Sequence, residues 1–244
     1  MNEETLRKLW NAYARAGYEN IYQVHIQRDH LHNLANLFLP SGGGIYLDLG
    51  CGTGNMFDLI VERIQPAEVH AVDWSEEMLK KARLKAEVLP QDSDPIFKFY
   101  VQDVSAFLEF PDNFFDGAVC NLLISYLTCG WGRPLQELSR VIKPGGYLYL
   151  GTLLKEWSFT SVLWKHAPRE FLREPITSFQ GLKYRRIVAK ISRKLKEHGA
   201  QFPSQQELVD FLSARGFEKI ETVQTYWGGG VALRARLVSK ASHI

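Results

Sequence analysis

The segment Ile45-Tyr46-Leu47-Asp48-Leu49-Gly50-Cys51-Gly52-Thr53-Gly54 constrains the fold more than any other stretch of the chain. An apolar strand runs into a carboxylate and then into a loop with glycine at every second position. Glycine has no Cβ, so a ligand can approach the bare backbone and the chain can take positive φ. A helix beginning just after the loop offers free N–H groups and the positive end of its dipole. Asp48 makes the loop distinctive. It repels a phosphate and attracts a ligand that carries an ammonium group.

The rest of the chain repeats the strand–helix rhythm. Ile45–Leu49 reads as a buried strand, Gly54–Ile64 as a helix and Val69–Asp73 as a second strand. Ser75 is placed to cap a helix that reaches Leu89, with Glu76 and Glu77 in its first turn. Ile96–Val101 and Phe115–Cys120 read as the third and fourth strands. A helix through Leu135–Ile142 is expected to stop at Pro144-Gly145-Gly146, before a fifth strand Tyr147–Leu153. A further helix, Ser204–Ala214, precedes strands Phe217–Thr225 and Val231–Val238, whose short connection implies an antiparallel pair. Upstream, Leu6, Leu9, Trp10, Tyr13 and Ala14 recur at helical spacing, and a second helix is expected from about Ile21 to Leu39.

This pattern predicts an α/β fold: a Rossmann-like, mostly parallel sheet with helices on both faces. The 244 residues, with 45% hydrophobic content, suit one large core. We read 1–40 as an N-terminal helical cap, 41–153 as the cofactor-binding core and 154–201 as an insertion after the fifth strand that caps an acceptor. Residues 202–244 then supply the last helix and two strands.

Composition narrows the function. A net charge of +2 gives no global polyanion-binding signal, and no nucleic-acid partner is expected. The three cysteines, Cys51, Cys120 and Cys129, form no CxxC pair, which suits a reducing cytoplasm. The polar amino terminus lacks a signal-peptide pattern. No window approaches the roughly 18 apolar residues of a membrane span. His25 and His32 can share a helix face, but no acidic ligand accompanies them, and no metal site is expected.

In an open α/β sheet, ligands bind beyond the carboxyl ends of the strands. Four polar features fall there: Asp48 with Gly50, Cys51, Gly52, Gly54 and Asn55; Asp73 with Trp74; Asp103 with Val104; and Asn121. Asp73 is placed to accept both hydroxyls of a ribose. Asp103 is placed to accept from the exocyclic amine of adenine, with Trp74 and Val104 as apolar contacts to the base.

The segments 46–54, 72–79, 102–104 and 137–146 resemble successive motifs of the class I S-adenosylmethionine-dependent methyltransferases. The resemblance covers residues 45–153. It implies a seven-stranded sheet with the last strand antiparallel, and S-adenosyl-L-methionine as cofactor. It further implies that the glycine loop holds the methionine part, Asp48 the ammonium group, Asp73 the ribose and Asp103 the adenine. A dehydrogenase reading fits less well, because it requires a pyrophosphate beside Asp48. A narrower resemblance joins Phe202–Phe217 and Trp227–Leu233 to the ubiquinone/menaquinone biosynthesis C-methyltransferases. Arg234 stands where that group has a histidine, and Asn55 where it commonly has an aspartate.

The resemblance implies a small apolar acceptor, with a quinol-type aromatic carbon first and a phospholipid amine or other N/O acceptor second. The acceptor is expected to be walled by Tyr13, Tyr18 and Tyr22, with Trp10 a further candidate beside Tyr13, by Asn121, Ser125 and Tyr126, and by Trp157, Trp164 and His166. Tyr126 and His166 are the residues expected to act on it, His166 as general base. The basic stretch 183–196 carries an apolar stripe. It reads as a core-facing helix or as one resting on an anionic membrane surface, peripheral to it. A binding protein that holds the cofactor without transferring its methyl group is the alternative of another class.

Overall fold

The computed structural model describes residues 3–15, 25–89, 95–156 and 199–238, with Arg193 and Glu197. The strands are β1 (Ile45–Leu49), β2 (Glu68–Asp73), β3 (Ile96–Val101), β4 (Phe115–Asn121), β5 (Ile142–Leu153), β6 (Phe217–Thr225) and β7 (Gly230–Leu237). They form one sheet in the order β3-β2-β1-β4-β5-β7-β6. β7 runs antiparallel to β5 and β6, and the other neighbours are parallel. The helices are α1 (Glu3–Arg15), α2 (His25–Ala35), α3 (Phe57–Arg63), α4 (Glu76–Glu87), α5 (Gly132–Val141) and α6 (Gln205–Ser213).

Alternation along the strands decides which helices cover which face. Leu47, Leu49, Leu148 and Leu150 face α5 and α6 through Leu135, Leu138, Leu208 and Leu212. Tyr46, Val69, Val119 and Tyr149 face the other way, onto Leu31 and Leu34 of α2 and Ile60 of α3. Asp48 lies on this second face, since it follows Tyr46 by one pleat. Ser75 caps α4 as its sequence position implies, accepting from Met78 N–H at 3.2 Å. Ser204 and Glu207 form a reciprocal capping box at the start of α6.

Three boundaries differ from expectation. Residues 54–56 make a turn before α3, because Gly54 has φ +77° and cannot continue a right-handed helix. α2 is described from His25 and ends at Ala35, where Leu37 and Phe38 tighten onto carbonyls three residues back; residues 21–24 lie outside the described residues. α5 ends at Val141, before the proline. Ile142 is already extended (φ −76°, ψ 138°) and pairs with Phe115. Pro144 disfavours the helical region at Lys143, and Lys143 Nζ ties this stretch to Asp116 Oδ1 at 2.6 Å. A register shift between Phe115 and Gly117 absorbs the irregularity.

Gly117 makes the crossing of β1, β4 and β5 possible. A Cβ there would lie 2.5 Å from the Tyr46 ring and 2.8 Å from the Tyr147 carbonyl. Overpacking of this kind costs about 1–3 kcal/mol, so Gly117→Ala is expected to lower Tm by about 3–10 °C. A thermal melt checks this; an unchanged Tm would mean that the Tyr46 ring moves aside freely.

Lys155 N–H donates to Pro203 O at 3.0 Å, so the chain leaves the sheet and returns to it at one point. Trp157, Trp164, His166 and the basic stretch 183–196, apart from Arg193, lie between and outside the described residues, as do Tyr18 and Tyr22. No helix among the described residues is long and apolar enough to cross a membrane.

Candidate active site

The glycine loop hangs from the end of β2. Gly50 and Cys51 N–H both donate to Val72 O, at 2.8 and 3.0 Å. Gly52 N–H donates to Asp73 Oδ2 at 3.0 Å, and Ser75 N–H to Asp73 Oδ1 at 2.8 Å. Each carboxylate oxygen retains a second acceptor site, so Asp73 can hold the loop and still accept from a ligand. The glycines differ in purpose. A Cβ on Gly52 would meet nothing within 4 Å and would stand in the cleft itself, whereas one on Gly50 would lie 2.8 Å from Leu123.

Asp48 is 1% exposed, and its Oδ2 has no hydrogen-bond partner. Burial, with Asp73 adding repulsion, pushes its carboxyl up to about 8. Burial also raises Asp73, to about 6, against the pull of the Ser75, Gly52 and Trp74 backbone. Two acids held in one dry crevice make a place where a positive ligand is stabilised. Asp103 Oδ1 accepts from Ser105 N–H and Oγ–H at 2.8 and 2.7 Å. None of the described residues bonds its Oδ2.

These groups line one cleft at the carboxyl end of the strands. Asp48, Gly50, Cys51, Gly52, Asn55, Asp73, Trp74, Asp103, Val104 and Asn121 all contribute to its wall, as does Tyr126. Gly54 does not; it lets the Phe57 ring approach, which would lie 2.7 Å from a Cβ there. Ser125 does not either. Its hydroxyl lies 2.8 Å from Thr152 Oγ1 and accepts from Leu153 N–H, so it serves the sheet. Tyr13 packs beside Trp10 rather than on the cleft. Arg234 is likewise structural, donating to Leu37 O and pairing with Glu221.

The structure adds wall residues that the sequence did not single out. Met56, Met78, Ser105, Leu122, Leu123, Leu127, Thr128 and Cys129 join the cleft. Trp10, a candidate from the sequence, also reaches it from α1, edge-on to Tyr126 at 5.2 Å, while Asn11 of the same helix accepts from Ser75 Oγ at 2.6 Å. Leu122 has φ +59°, a costly conformation for a bulky residue. That kink turns the chain out of β4 and along the cleft. Its only sequence sign was an apolar run following Asn121.

A family model described as a methyltransferase domain matches residues 47–150. Over 226 residues, the chain is 27% identical to the demethylmenaquinone methyltransferase of Lysinibacillus sphaericus, covering 87% of this chain and 85% of that protein. A stretch of 165 residues, 63% of the chain, is 33% identical to the biotin biosynthesis bifunctional protein BioHC of Teredinibacter turnerae, and spans 28% of that protein. Residues 47–150 carry a methyltransferase domain, whose cofactor is S-adenosylmethionine. Solved structures share the fold. The Haloferax volcanii methyltransferase in complex with the Trm112 activator has a TM-score of 0.64 and 17% identity, over 94% of this chain and 98% of that one. The magnesium protoporphyrin IX methyltransferase of Synechocystis PCC 6803 has a TM-score of 0.61 and 19% identity, over 96% and 99%.

The methyltransferase cleft suits its cofactor on chemical grounds. S-adenosylmethionine carries an ammonium and a sulfonium, two ribose hydroxyls and an adenine, and no phosphate. The partnerless Oδ2 of Asp48, the spare acceptor sites of Asp73 and the open surface over Gly52 match positive charge, donors and a close backbone approach respectively. Among the described residues, no group of three His, Cys, Asp or Glu side chains is arranged to hold a metal ion.

Proposed function

We propose that this methyltransferase acts on a small, largely apolar acceptor, with a quinol-type aromatic carbon as the leading candidate. The observation that carries this reading is the apolar part of the cleft wall, to which Leu122, Leu123, Leu127, Trp10 and Met78 contribute. The likeness to demethylmenaquinone methyltransferases extends over 87% of the chain, beyond the matched domain, and supports the same substrate class.

In this reading Asp48 draws the cofactor's ammonium, Asp73 accepts from its ribose, and Asp103 with Val104 reads its adenine beside Trp74. Gly50, Cys51, Gly52 and Asn55 bear on its methionine end. S-adenosylmethionine supplies a methyl group already activated on sulfur. The chain's own task is then positioning and water exclusion, which can account for most of the rate. Trp10, Met78 and Leu127 keep the cleft dry. Tyr126 borders the acceptor, and His166 is the proposed proton acceptor for a phenolic hydroxyl. The stretch 183–196 is proposed to rest on an anionic membrane surface, from which a prenylated acceptor could enter.

The test is incubation with methyl-labelled cofactor and a panel of quinols, phospholipid amines and small carboxylates, read by mass spectrometry. A demethylmenaquinol analogue is the acceptor expected to take the label, giving the corresponding labelled menaquinol. Label only on another class of acceptor would overturn the quinol assignment, and cofactor binding with no transfer to any acceptor would favour a binding protein.

A further inference from the structure

A buried polar chain runs from the cleft wall into α2. His30 is 0% exposed. Its Nε2 lies 2.8 Å from Asn121 Oδ1, and its Nδ1 lies 3.0 Å from Thr225 Oγ1. The ring packs on Tyr226 with centroids 4.7 Å apart, and the Tyr226 hydroxyl donates to Gln27. Four elements therefore meet around one imidazole: α2, the end of β4, the end of β6 and the turn after it.

Hydrogen-bond arithmetic orders this network. A neutral imidazole has one donor and one acceptor. An amide oxygen only accepts, so Nε2 carries the proton and Nδ1 accepts from Thr225. Burial holds the ring neutral, with its pKa lowered to about 4. Asn121 is thereby fixed as well. With Oδ1 turned to His30, its NH2 is left without a partner among the described residues, on a side chain that lines the cleft.

The sheet is shaped to permit this bond. Gly151 is paired with Asn121 across β4 and β5. A Cβ on Gly151 would lie 2.5 Å from Asn121 Oδ1 and 2.7 Å from His30 Nε2. Immediately after Asn121, the left-handed Leu122 N–H is held by Gly151 O at 2.7 Å. The strain at Leu122 thus sits where the Asn121 side chain is aimed.

We infer that His30 is a positioning residue that clamps Asn121 so that its amide NH2 presents an N–H donor to an anionic oxygen in the cleft. The inference rests on the methyltransferase reading. The oxygen is either one of the cofactor's carboxylate oxygens or an oxyanion on the acceptor; both are recognised by the same donor. Asn121 cannot take a proton itself, so its contribution is to stabilise negative charge.

Two kinds of measurement decide this on the full chain. Nitrogen-15 histidine spectra of the ligand-free protein are expected to place the His30 proton on Nε2 from about pH 8 down to about pH 5. A proton on Nδ1, or titration near the ordinary histidine value of about 6.5, would overturn the clamp. This readout needs no ligand, so it stands even if cofactor binding fails in the unaltered protein and removes the methyltransferase reading.

The second measurement compares Asn121→Ala, His30→Leu and the double variant. If the oxygen is the cofactor's, Asn121→Ala weakens S-adenosylhomocysteine about tenfold but leaves 5′-methylthioadenosine, which lacks the amino-acid part, within about twofold. If it is the acceptor's, both nucleosides bind as before and KM or kcat for demethylmenaquinol worsens about tenfold. In either case His30→Leu reproduces the loss, the double variant adds little to it, and His30→Gln recovers part of it. Gly151→Ala, whose Cβ would crowd both Asn121 Oδ1 and His30 Nε2, is expected to do the same. A lowered Tm with wild-type affinities and kinetics in His30→Leu, or losses that simply add in the double variant, would reduce His30 to a packing residue.

Discussion

Asp73→Ala is expected to weaken S-adenosylhomocysteine binding by about 100-fold or more, the largest single loss in the cleft. The proposed bonds from the ribose hydroxyls to a carboxylate are charge-assisted and worth about 1.5–3 kcal/mol each. The substitution also releases the Gly52 and Ser75 N–H groups that the same carboxylate holds at 3.0 and 2.8 Å. The loop therefore loses its anchor together with the ligand's. Asp103→Ala should lose only about tenfold, because Asp103 organises just its neighbour Ser105. Isothermal titration calorimetry on the three proteins makes the comparison. Equal affinities would remove the cleft from consideration as the cofactor site.

The second large effect is on pH dependence. Asp48 has its carboxyl raised to about 8, against about 3.9 in an unfolded chain. Between those values the folded protein holds a proton that the unfolded chain has lost. Stability contributed by this site therefore falls as pH rises through that window. His30 and His70, both lowered by burial, act in the opposite direction below about pH 6.5. Asp73, raised to about 6, adds to the Asp48 effect below that value. The ligand-free protein should accordingly be most stable below about pH 6.5 and lose stability from there to about pH 8.

A bound ammonium beside Asp48 favours the ionised form. Binding near pH 7 should then release close to one proton, and affinity should rise up to about pH 8. Calorimetry in buffers of different ionisation enthalpy counts that proton. Asp48→Asn should abolish the release and weaken binding about tenfold or more. In the same variant, the ligand-free Tm at about pH 8 should rise by about 2–4 °C, corresponding to at least ~1 kcal/mol. A variant that binds less tightly yet melts higher is the signature of a charge kept for its ligand. A lower Tm would mean that Asp48 serves the fold.

The parts of the site legible in the sequence were those written in short local patterns. The Ile45–Leu49 run, the alternating glycines and the acids ending β1 and β2 each have a local physical cause, and the structure places them together. Ser75 was legible for the same reason, since a cap acts over three residues. What escaped depended on distant partners. His30 on a helix reads as an ordinary core or surface residue until Asn121 and Thr225 arrive from strands far along the chain. Leu122 reads as core because a left-handed backbone leaves no mark on an apolar run. Gly54 matched the loop pattern, yet its space is taken by Phe57. The strand start at Ile142 was hidden by Pro-Gly-Gly, which ordinarily signals a break and here accommodates a bulge.

The position of β7 between β5 and β6 has a consequence for biogenesis. As the chain emerges from the ribosome, β5 is completed while its hydrogen-bonding partner is still to be synthesised. For that interval the growing sheet presents a long apolar rim, Tyr147 to Leu153, with unpaired amides. Pairing there closes a large loop and is intrinsically slow. The nascent polypeptide is thus most exposed to aggregation just before its final hairpin appears, and chaperone dependence should concentrate at that stage of translation.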